Sequence, residues 1–182
     1  SASTLPHKQK SDLYFHNFIE LFGINPDVAE KTFSQGLIVY NDFIKHYPES
    51  TSLTPHSTYS LSEKLWEIIS EYLNEKGGGI VSIHYGESRA EYEFLATGNG
   101  PLFHRYKNSN IPFITPSGKS PISVITGYIP KQAQALLVHN TFASPDELLS
   151  LNRWFHSLTL VTCPESNLLI ENAIPPLDKF DL

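Results

Sequence analysis

The sequence predicts an α/β fold in which parallel strands alternate with helices. Three short apolar stretches that each end in a histidine have the length and composition of buried strands: residues 52–56, 80–84 and 135–139. A fourth stretch of this kind, residues 158–164, contains Cys163 near its end, and we expect a polar loop after it. Helical patterns separate these stretches. Strands separated by helices run parallel, so their carboxyl ends share one face of the sheet.

The region before the first histidine predicts a strand and a long helix. Residues 13–21 are rich in aromatic and β-branched side chains, which favours a strand. Asn25 followed by Pro26 is typical of a helix start, and we expect that helix to run to about Lys45. Pro48 disfavours helical geometry in the residue before it, so the helix ends before the first histidine strand.

Two further helices each follow a histidine strand. Ser60 and Glu63 have the spacing of a capping box, and the apolar stripe after them runs to the glycines at 77–79. Ser144 and Glu147 repeat that start, with a proline at the first helical position. Each helix is followed at once by a strand. The predicted order of elements is therefore β-α-β-α-β-α-β.

A longer crossover separates the second and third histidine strands. Residues 107–127 are rich in proline, serine, glycine and asparagine, and we expect a loop there with one short helix. Gly98 and Gly100 end a helix upstream, and a phosphate-binding role is disfavoured because we expect no helix start after them. Residues 116–120 contain Gly-Lys-Ser without the earlier glycine of a phosphate-binding loop.

Composition limits the classes of protein to which the chain can belong. A length of 182 residues, with 40% hydrophobic and 18% charged side chains, predicts one globular domain over residues 1–182. The net charge of -6 and the scattered positions of the 13 lysines and arginines disfavour nucleic acid as a partner. The single cysteine cannot form an intrachain disulfide, and no apolar run is long enough to span a membrane. These features predict a cytoplasmic protein without a membrane partner.

Four segments, in order along the chain, resemble the amidohydrolase superfamily. Residues 84–87 read His-Tyr-Gly-Glu, an H-x-x-E spacing at the end of a buried strand. Residues 55–62 resemble the family's P-H-A-P-Y-T-x-S segment, residues 137–140 its L-V-H-C segment and residues 163–168 its C-P-x-S-N-L segment. The resemblance is to the branch of metal-dependent deaminases and chlorohydrolases that act on aminopurines and triazines.

The resemblance implies an incomplete (β/α)8 TIM barrel with parallel strands and flanking helices. Residues 12–182 correspond to about the third to seventh barrel strands. Two family features have no counterpart: the chain has no H-x-H pair of metal ligands, and neither Asp178 nor Asp181 matches the metal-binding aspartate of the last strand. We therefore expect a fragment of an amidohydrolase that is inactive alone and binds no metal tightly, because a zinc or iron site needs three or four ligands.

The resemblance also assigns roles to individual residues. His84 corresponds to a ligand of zinc or iron in the full-length enzyme. Glu87 corresponds to the catalytic acid and base that protonates the substrate ring and relays a proton to the leaving amine, and His139 to the catalytic histidine that stabilises developing charge. His56, Tyr59 and Asn167 correspond to positions that contact the substrate, which is implied to be a small heteroaromatic molecule.

Less specific interpretations stay open beside these roles. A single histidine is more often a hydrogen-bonded structural residue than a ligand, but three at matching strand ends favour a shared site. The missing H-x-H pair leaves a non-catalytic half-barrel used for binding or assembly as an alternative. A doubly wound nucleotide-binding domain is disfavoured because the glycine-rich turn of that fold is absent. Unpaired strand edges predict a homodimer.

Overall fold

Parallel strands form the centre of the structure, and helices connect them. The structure, a computed structural model, describes residues 2–180, apart from the side chain of Lys179. Within that range the strands are β1 (Asn17–Leu21), β2 (Thr51–Pro55), β3 (Ile80–Tyr85), β4 (Gln134–His139) and β5 (Ser157–Val161). The α-helices there are α1 (Leu5–Lys8), α2 (Ala29–Ile44), α3 (Glu63–Glu75), α4 (Arg89–Thr97), α5 (Pro101–Asn108), α6 (Pro121–Tyr128), α7 (Pro145–Trp154) and α8 (Pro164–Glu171). Short 3-10 helices span Ala2–Thr4, Pro26–Val28 and Leu177–Lys179.

The described strands lie side by side in chain order. β1 pairs with β2, and β3, β4 and β5 form a second ladder, with every pairing parallel. Between β2 and β3 the Thr54 hydroxyl makes hydrogen bonds where backbone groups of a ladder would otherwise pair. It donates to Ser82 O at 2.7 Å and accepts from Ser82 N at 2.8 Å. Beyond this gap the backbone N–H of His84 donates to His56 O at 2.9 Å. The carboxyl ends of all these strands therefore share one face.

The core lies between the strands and the helices that cover one side of them. In β3 the side chains alternate, so that Val81, Ile83 and Tyr85 are fully buried while Ser82 and His84 are half-buried. The buried set packs with apolar side chains of α3, α6 and α7: Leu65, Ile69, Leu73, Val124, Ile125, Leu148 and Leu151. The period of two in a strand therefore places His84 on the side away from this helix layer.

Serine caps set the starts of the connecting helices. Ser144 and Glu147 form the capping box that the sequence predicts for α7. The box predicted at Ser60 is wrong by two residues, because Ser62 caps α3 by accepting from Leu65 N at 3.2 Å. The hydroxyl of Ser60 instead contacts a histidine in the candidate site. Local spacing thus predicts the helix, but the packing of the preceding loop decides which serine caps it.

Several predicted boundaries differ from the structure. A helix, α5, does begin immediately after Gly100, contrary to the expectation of no helix start there, and Pro101 supplies the fixed φ angle of a first helical residue. A helix, α8, also replaces the polar loop expected after Cys163, again with a proline first. Residues 13–16 lie outside the first strand. The loop expected over residues 107–127 is confirmed, and α6 is its short helix.

Apolar side chains remain exposed at the β5 end of the sheet. Leu169 of α8 is 88% exposed, its neighbours Leu168 and Ile170 are more than half exposed, and no side chain of β5 is fully buried. Large exposed apolar patches usually mark a surface that contacts another segment or chain. No helix within residues 2–180 combines the length and hydropathy that crossing a membrane requires.

Candidate active site

Three histidines meet at the carboxyl ends of neighbouring strands, as the sequence predicts. His56 directly follows β2, His84 is the last residue but one of β3, and His139 ends β4. The ring centroids of His56 and His84 are 4.6 Å apart, and those of His84 and His139 are 4.9 Å apart. The predicted placement of these rings on one face is confirmed.

Glu87 lies at the centre of the site. Its Oε2 accepts a hydrogen bond from the Tyr59 hydroxyl at 2.9 Å, and its Oε1 lies 3.3 Å from His139 Nε2. Its side chain is 17% exposed, so the carboxyl group is largely withdrawn from water but still accessible. Burial and the Glu87 carboxylate raise the pKa of Tyr59, which keeps its hydroxyl protonated as a donor. Glu87 is thus held from both sides by side chains of other loops.

Asn167 fixes the imidazole of His139. Asn167 Oδ1 lies 2.7 Å from His139 Nδ1, and both side chains are buried. An amide oxygen only accepts, so Nδ1 carries the proton and Nε2 faces Glu87. Nε2 of His139 lies 3.3 Å from Glu87 Oε1, so an imidazole nitrogen and a carboxyl group, each able to take up and release a proton, face one another. The pair can therefore pass a proton across the site.

The backbone at His139 is unusual for a residue other than glycine. Its φ angle is +79°, and that of the following Asn140 is +56°. Left-handed geometry costs an L-residue about 1–2 kcal/mol, and such strain concentrates at functional sites. Here it ends β4 and directs the imidazole towards His84 and Glu87.

His84 is held in a form that suits a metal ligand. Burial, followed by the neighbouring His56 and His139, lowers the pKa of His84, so the imidazole is neutral at physiological pH. A neutral imidazole is the form that binds a metal ion. Its Nε2 also lies 3.7 Å from Glu20 Oε1, at the end of β1.

His56 contacts both polar groups and the rings of its neighbours. Its Nδ1 lies 3.0 Å from Ser60 Oγ, which also accepts a hydrogen bond from Ser57 at 2.7 Å. The ring of Phe22 lies 5.9 Å from it, at the edge of the site. The structure thus brings His56, Tyr59, His84, Glu87, His139 and Asn167 into one connected group.

The sequence prediction missed two carboxylates at this face. Glu20 lies one residue before the end of β1, so the rule that selects residues at strand ends would have found it. Glu91 is fully buried behind the site, and its S-x-x-E spacing indicates only a helix cap. Burial raises the pKa of Glu91 to about 7, against the opposing effect of its hydrogen bonds to Thr58 and to the amides of residues 86 and 87.

The donor set fits a divalent metal ion such as zinc or iron. One ligand atom from each of His84, Glu87 and His139 lies within 4.8 Å of the others. Neutral imidazole and carboxylate are ligands that both zinc and iron accept. The buried Nδ2 of Asn167 also lacks a hydrogen-bond partner within the described residues, so the site retains a free donor. This arrangement can bind a polar ligand, donate to it and transfer a proton.

Comparison with known proteins identifies two relatives that are both aminodeoxyfutalosine deaminases. No family model matches the chain. An aminodeoxyfutalosine deaminase of Nitratiruptor sp. is 28% identical over 172 residues, which cover 90% of this chain and 39% of the relative. One of Deinococcus radiodurans is 26% identical, over 87% of this chain and 40% of the relative. The chain therefore spans about 40% of the length of these relatives.

Solved structures share the fold. The crystal structure of Helicobacter pylori aminofutalosine deaminase matches with a TM-score of 0.81 at 19% identity, covering 98% of this chain and 44% of that one. Its complex with methylthio-coformycin matches with a TM-score of 0.84, also at 19% identity, over 98% of this chain and 43% of that one. The predicted resemblance to amidohydrolase-type deaminases is confirmed.

Proposed function

We propose that this chain carries part of the active site of a metal-dependent hydrolase that removes an amino group from an aminopurine-like ring. The observation that carries the proposal is the Glu87 carboxylate, which lies between Tyr59 and His139 beside a neutral histidine. This is the geometry that a proton-transferring acid and base needs next to a metal ligand. The deaminase relatives support the same chemistry.

His84 is the residue of this chain that would hold the metal ion. A bound zinc or iron ion would act as a Lewis acid and lower the pKa of a coordinated water. Of the three grouped donors the proposal gives only His84 to the metal, because Glu87 and His139 act on the substrate and its protons. One histidine is too few ligands for a tight site, and the 182 residues contain no H-x-H pair. In this proposal the missing ligands come from parts of the protein outside these residues.

The other site residues act on the substrate and its protons. Glu87 takes a proton from the attacking water and delivers it to the ring nitrogen next to the carbon under attack. It then moves the proton of the added hydroxyl to the amine, so that the C–N bond breaks, ammonia leaves and a ring carbonyl forms. His139, held by Asn167, stabilises negative charge that develops at the attacking oxygen. Tyr59 keeps the Glu87 carboxyl group in place. Contacts to the substrate fall to His56, Tyr59 and Asn167 in this proposal.

The fold supports an incomplete barrel over a single domain. The described strands run parallel in chain order, as consecutive strands of a (β/α)8 barrel do. We assign them to the third to seventh barrel strands, with the rest of the barrel supplied from outside residues 1–182. The apolar residues exposed near β5 fit a face that further strands and helices would cover.

Ammonia release tests the proposal. The complete protein, loaded with zinc or iron, should release ammonia from aminopurine nucleosides, with retention of metal after dialysis against a chelator. The 182-residue chain should do neither, because metal affinity depends on the number of prearranged ligands. Chelator-resistant metal and turnover in the short chain would contradict the fragment interpretation. A complete protein that binds metal yet deaminates no heteroaromatic amine would favour the non-catalytic alternative.

The 182-residue chain should form a dimer in solution. The apolar surface of α8 and the free β5 edge favour a two-fold contact between copies. Leu169→Asp places a charge in that patch and should yield a monomer, measured by light scattering at micromolar concentration. Ile38→Asp, on a 64% exposed side chain of α2, is the matched control and should leave the dimer intact. A one-chain mass for the unaltered chain would rule out the dimer.

The proposed partner in catalysis is a small molecule, with neither nucleic acid nor a membrane involved. The net charge of -6 opposes binding to a phosphate backbone. A cytoplasmic location follows from the cysteine content and stays a prediction.

A further inference from the structure

Two helices of this protein begin with the same sequence pattern but use it differently. α4 begins within Ser88-Arg89-Ala90-Glu91 and α7 within Ser144-Pro145-Asp146-Glu147, so both have a serine cap and a glutamate three residues later. In α7 the glutamate closes the usual capping box by accepting from Ser144 N at 2.9 Å. In α4 the glutamate does not return to its cap.

Glu91 reaches past its cap to the loop that carries Glu87. Its Oε2 accepts from the backbone N–H of Glu87 at 2.9 Å, and its Oε1 accepts from that of Gly86 at 3.2 Å. Oε1 also accepts a short hydrogen bond of 2.5 Å from the Thr58 hydroxyl. Thr58 immediately precedes Tyr59, whose hydroxyl bonds to Glu87. Glu91 therefore holds the chain on both sides of the contact between Tyr59 and Glu87.

This arrangement is more costly than an ordinary helix cap. Glu91 has no exposed surface, whereas Glu147 remains partly exposed. Burying a carboxyl group is unfavourable unless several donors satisfy it, and three donors do so here. Helix capping alone does not require full burial, because Glu147 caps α7 with the same pattern while it stays partly exposed and also accepts from the hydroxyls of Tyr85 and Tyr92. The buried carboxyl group instead fixes the backbone geometry of residues 86 and 87, whose N–H groups it accepts from.

We propose that Glu91 is a positioning residue that fixes the Glu87 carboxylate for proton transfer. It acts through the backbone of Gly86 and Glu87 and through Thr58, without touching the substrate. The inference rests on the proposed role of Glu87. Gly86 makes this placement possible, because its φ angle is +57° and an added Cβ would lie 3.1 Å from Ala143 N.

The substitution Glu91→Gln separates positioning from simple helix capping. Either orientation of the new amide places its NH2 group against a backbone N–H, of Gly86 or of Glu87, so one donor loses its partner. We expect kcat of the complete enzyme to fall about 10-fold to 100-fold, as for other residues that orient catalytic groups, with little change in KM or metal content. Glu147→Gln is the matched control, and its kcat should stay near that of the wild type.

Stability alone cannot produce this pattern. Glu91→Gln and Glu147→Gln each remove a buried or half-buried carboxylate at a helix start, so both variants should melt at a lower temperature than the wild type. Their kinetics are therefore compared well below both melting temperatures. A second variant, Thr58→Val, keeps the side-chain shape, removes one donor to Glu91, and should show a smaller loss of kcat. Thr58→Val also tests the positioning role if Glu91→Gln does not fold.

A measurement without turnover distinguishes failure of this inference from failure of the proposed function. In the 182-residue chain, NMR contacts between the Tyr59 ring and the Glu87 side chain should weaken in Glu91→Gln and persist in Glu147→Gln. If the complete protein deaminates nothing but these contacts change as expected, the positioning role stands and the function is wrong. If Glu91→Gln keeps both kcat and the contacts, or if Glu147→Gln loses as much kcat, the positioning role is overturned.

Discussion

Glu87→Gln in the complete enzyme is expected to lower turnover by about 100-fold to 10,000-fold, the range that a general acid and base contributes. Glutamine keeps the length of the side chain and can still accept from Tyr59, but it cannot take up and release a proton. Metal content should stay nearly unchanged. His84→Ala should instead reduce both metal content and turnover, because it removes a metal ligand. Ammonia release and elemental analysis of the purified variants measure the two effects.

A nearby glutamate provides the control for this experiment. Glu93 lies on the exposed side of α4, and Glu93→Gln changes the same charge close to the site. Its turnover should match the wild type within experimental error. Wild-type turnover in Glu87→Gln would show that another group carries the proton, and equal loss of metal in both site variants would show that Glu87 acts as a ligand instead.

His139→Ala is expected to lower turnover by about 100-fold to 1,000-fold, the loss seen when one donor to a developing negative charge is removed. It leaves Asn167 Oδ1 without its partner and removes the imidazole that faces the Glu87 carboxyl group. His139→Gly should lose as much activity. The two variants should differ in stability, however, because the backbone at residue 139 is left-handed.

Glycine adopts a positive φ without the clash of a Cβ atom. The free energy of unfolding of His139→Gly should therefore exceed that of His139→Ala by about 1 kcal/mol, the reverse of the usual order within a strand. Urea unfolding of the 182-residue variants measures the difference. His104→Ala, at an exposed position of α5, should change neither stability nor turnover. An alanine variant as stable as the glycine variant would show that residue 139 relaxes out of the left-handed region.

The strand ends and the cap of α7 at Ser144 were predictable from the sequence because they depend on short-range patterns. The buried runs before His84 and His139 indicate strands, and the helices between them require those strands to be parallel. Parallel strands bring their carboxyl ends together, so the meeting of the histidines follows from the order of elements. The H-x-x-E spacing likewise places Glu87 just beyond His84, whatever the rest of the fold does.

The side-chain partners within the site depended on the tertiary structure alone. Asn167 follows His139 by 28 residues, and their hydrogen bond exists because β4 and β5 are neighbours and α8 begins where a loop was expected. The left-handed φ of His139 has no sequence pattern of its own, because only a small fraction of histidines adopt it, although histidine does so more often than most residues other than glycine. Such features arise from contacts between loops of different strands, which local patterns do not describe.

The pairs Ser88–Glu91 and Ser144–Glu147 show how far a local sequence pattern predicts the contacts of a side chain. By itself the sequence determined that α7 begins with a capped turn, because the spacing of donor and acceptor within one turn is fixed by helix geometry, and Ser88 and Glu91 have that same spacing at α4. Only the tertiary structure decided that Glu147 closes its own cap while Glu91 is buried against residues 86 and 87 and Thr58. A glutamate bonds to the donors that lie within its reach, and at α4 the packing of the β2 and β3 loops supplies better-placed donors than its own cap does.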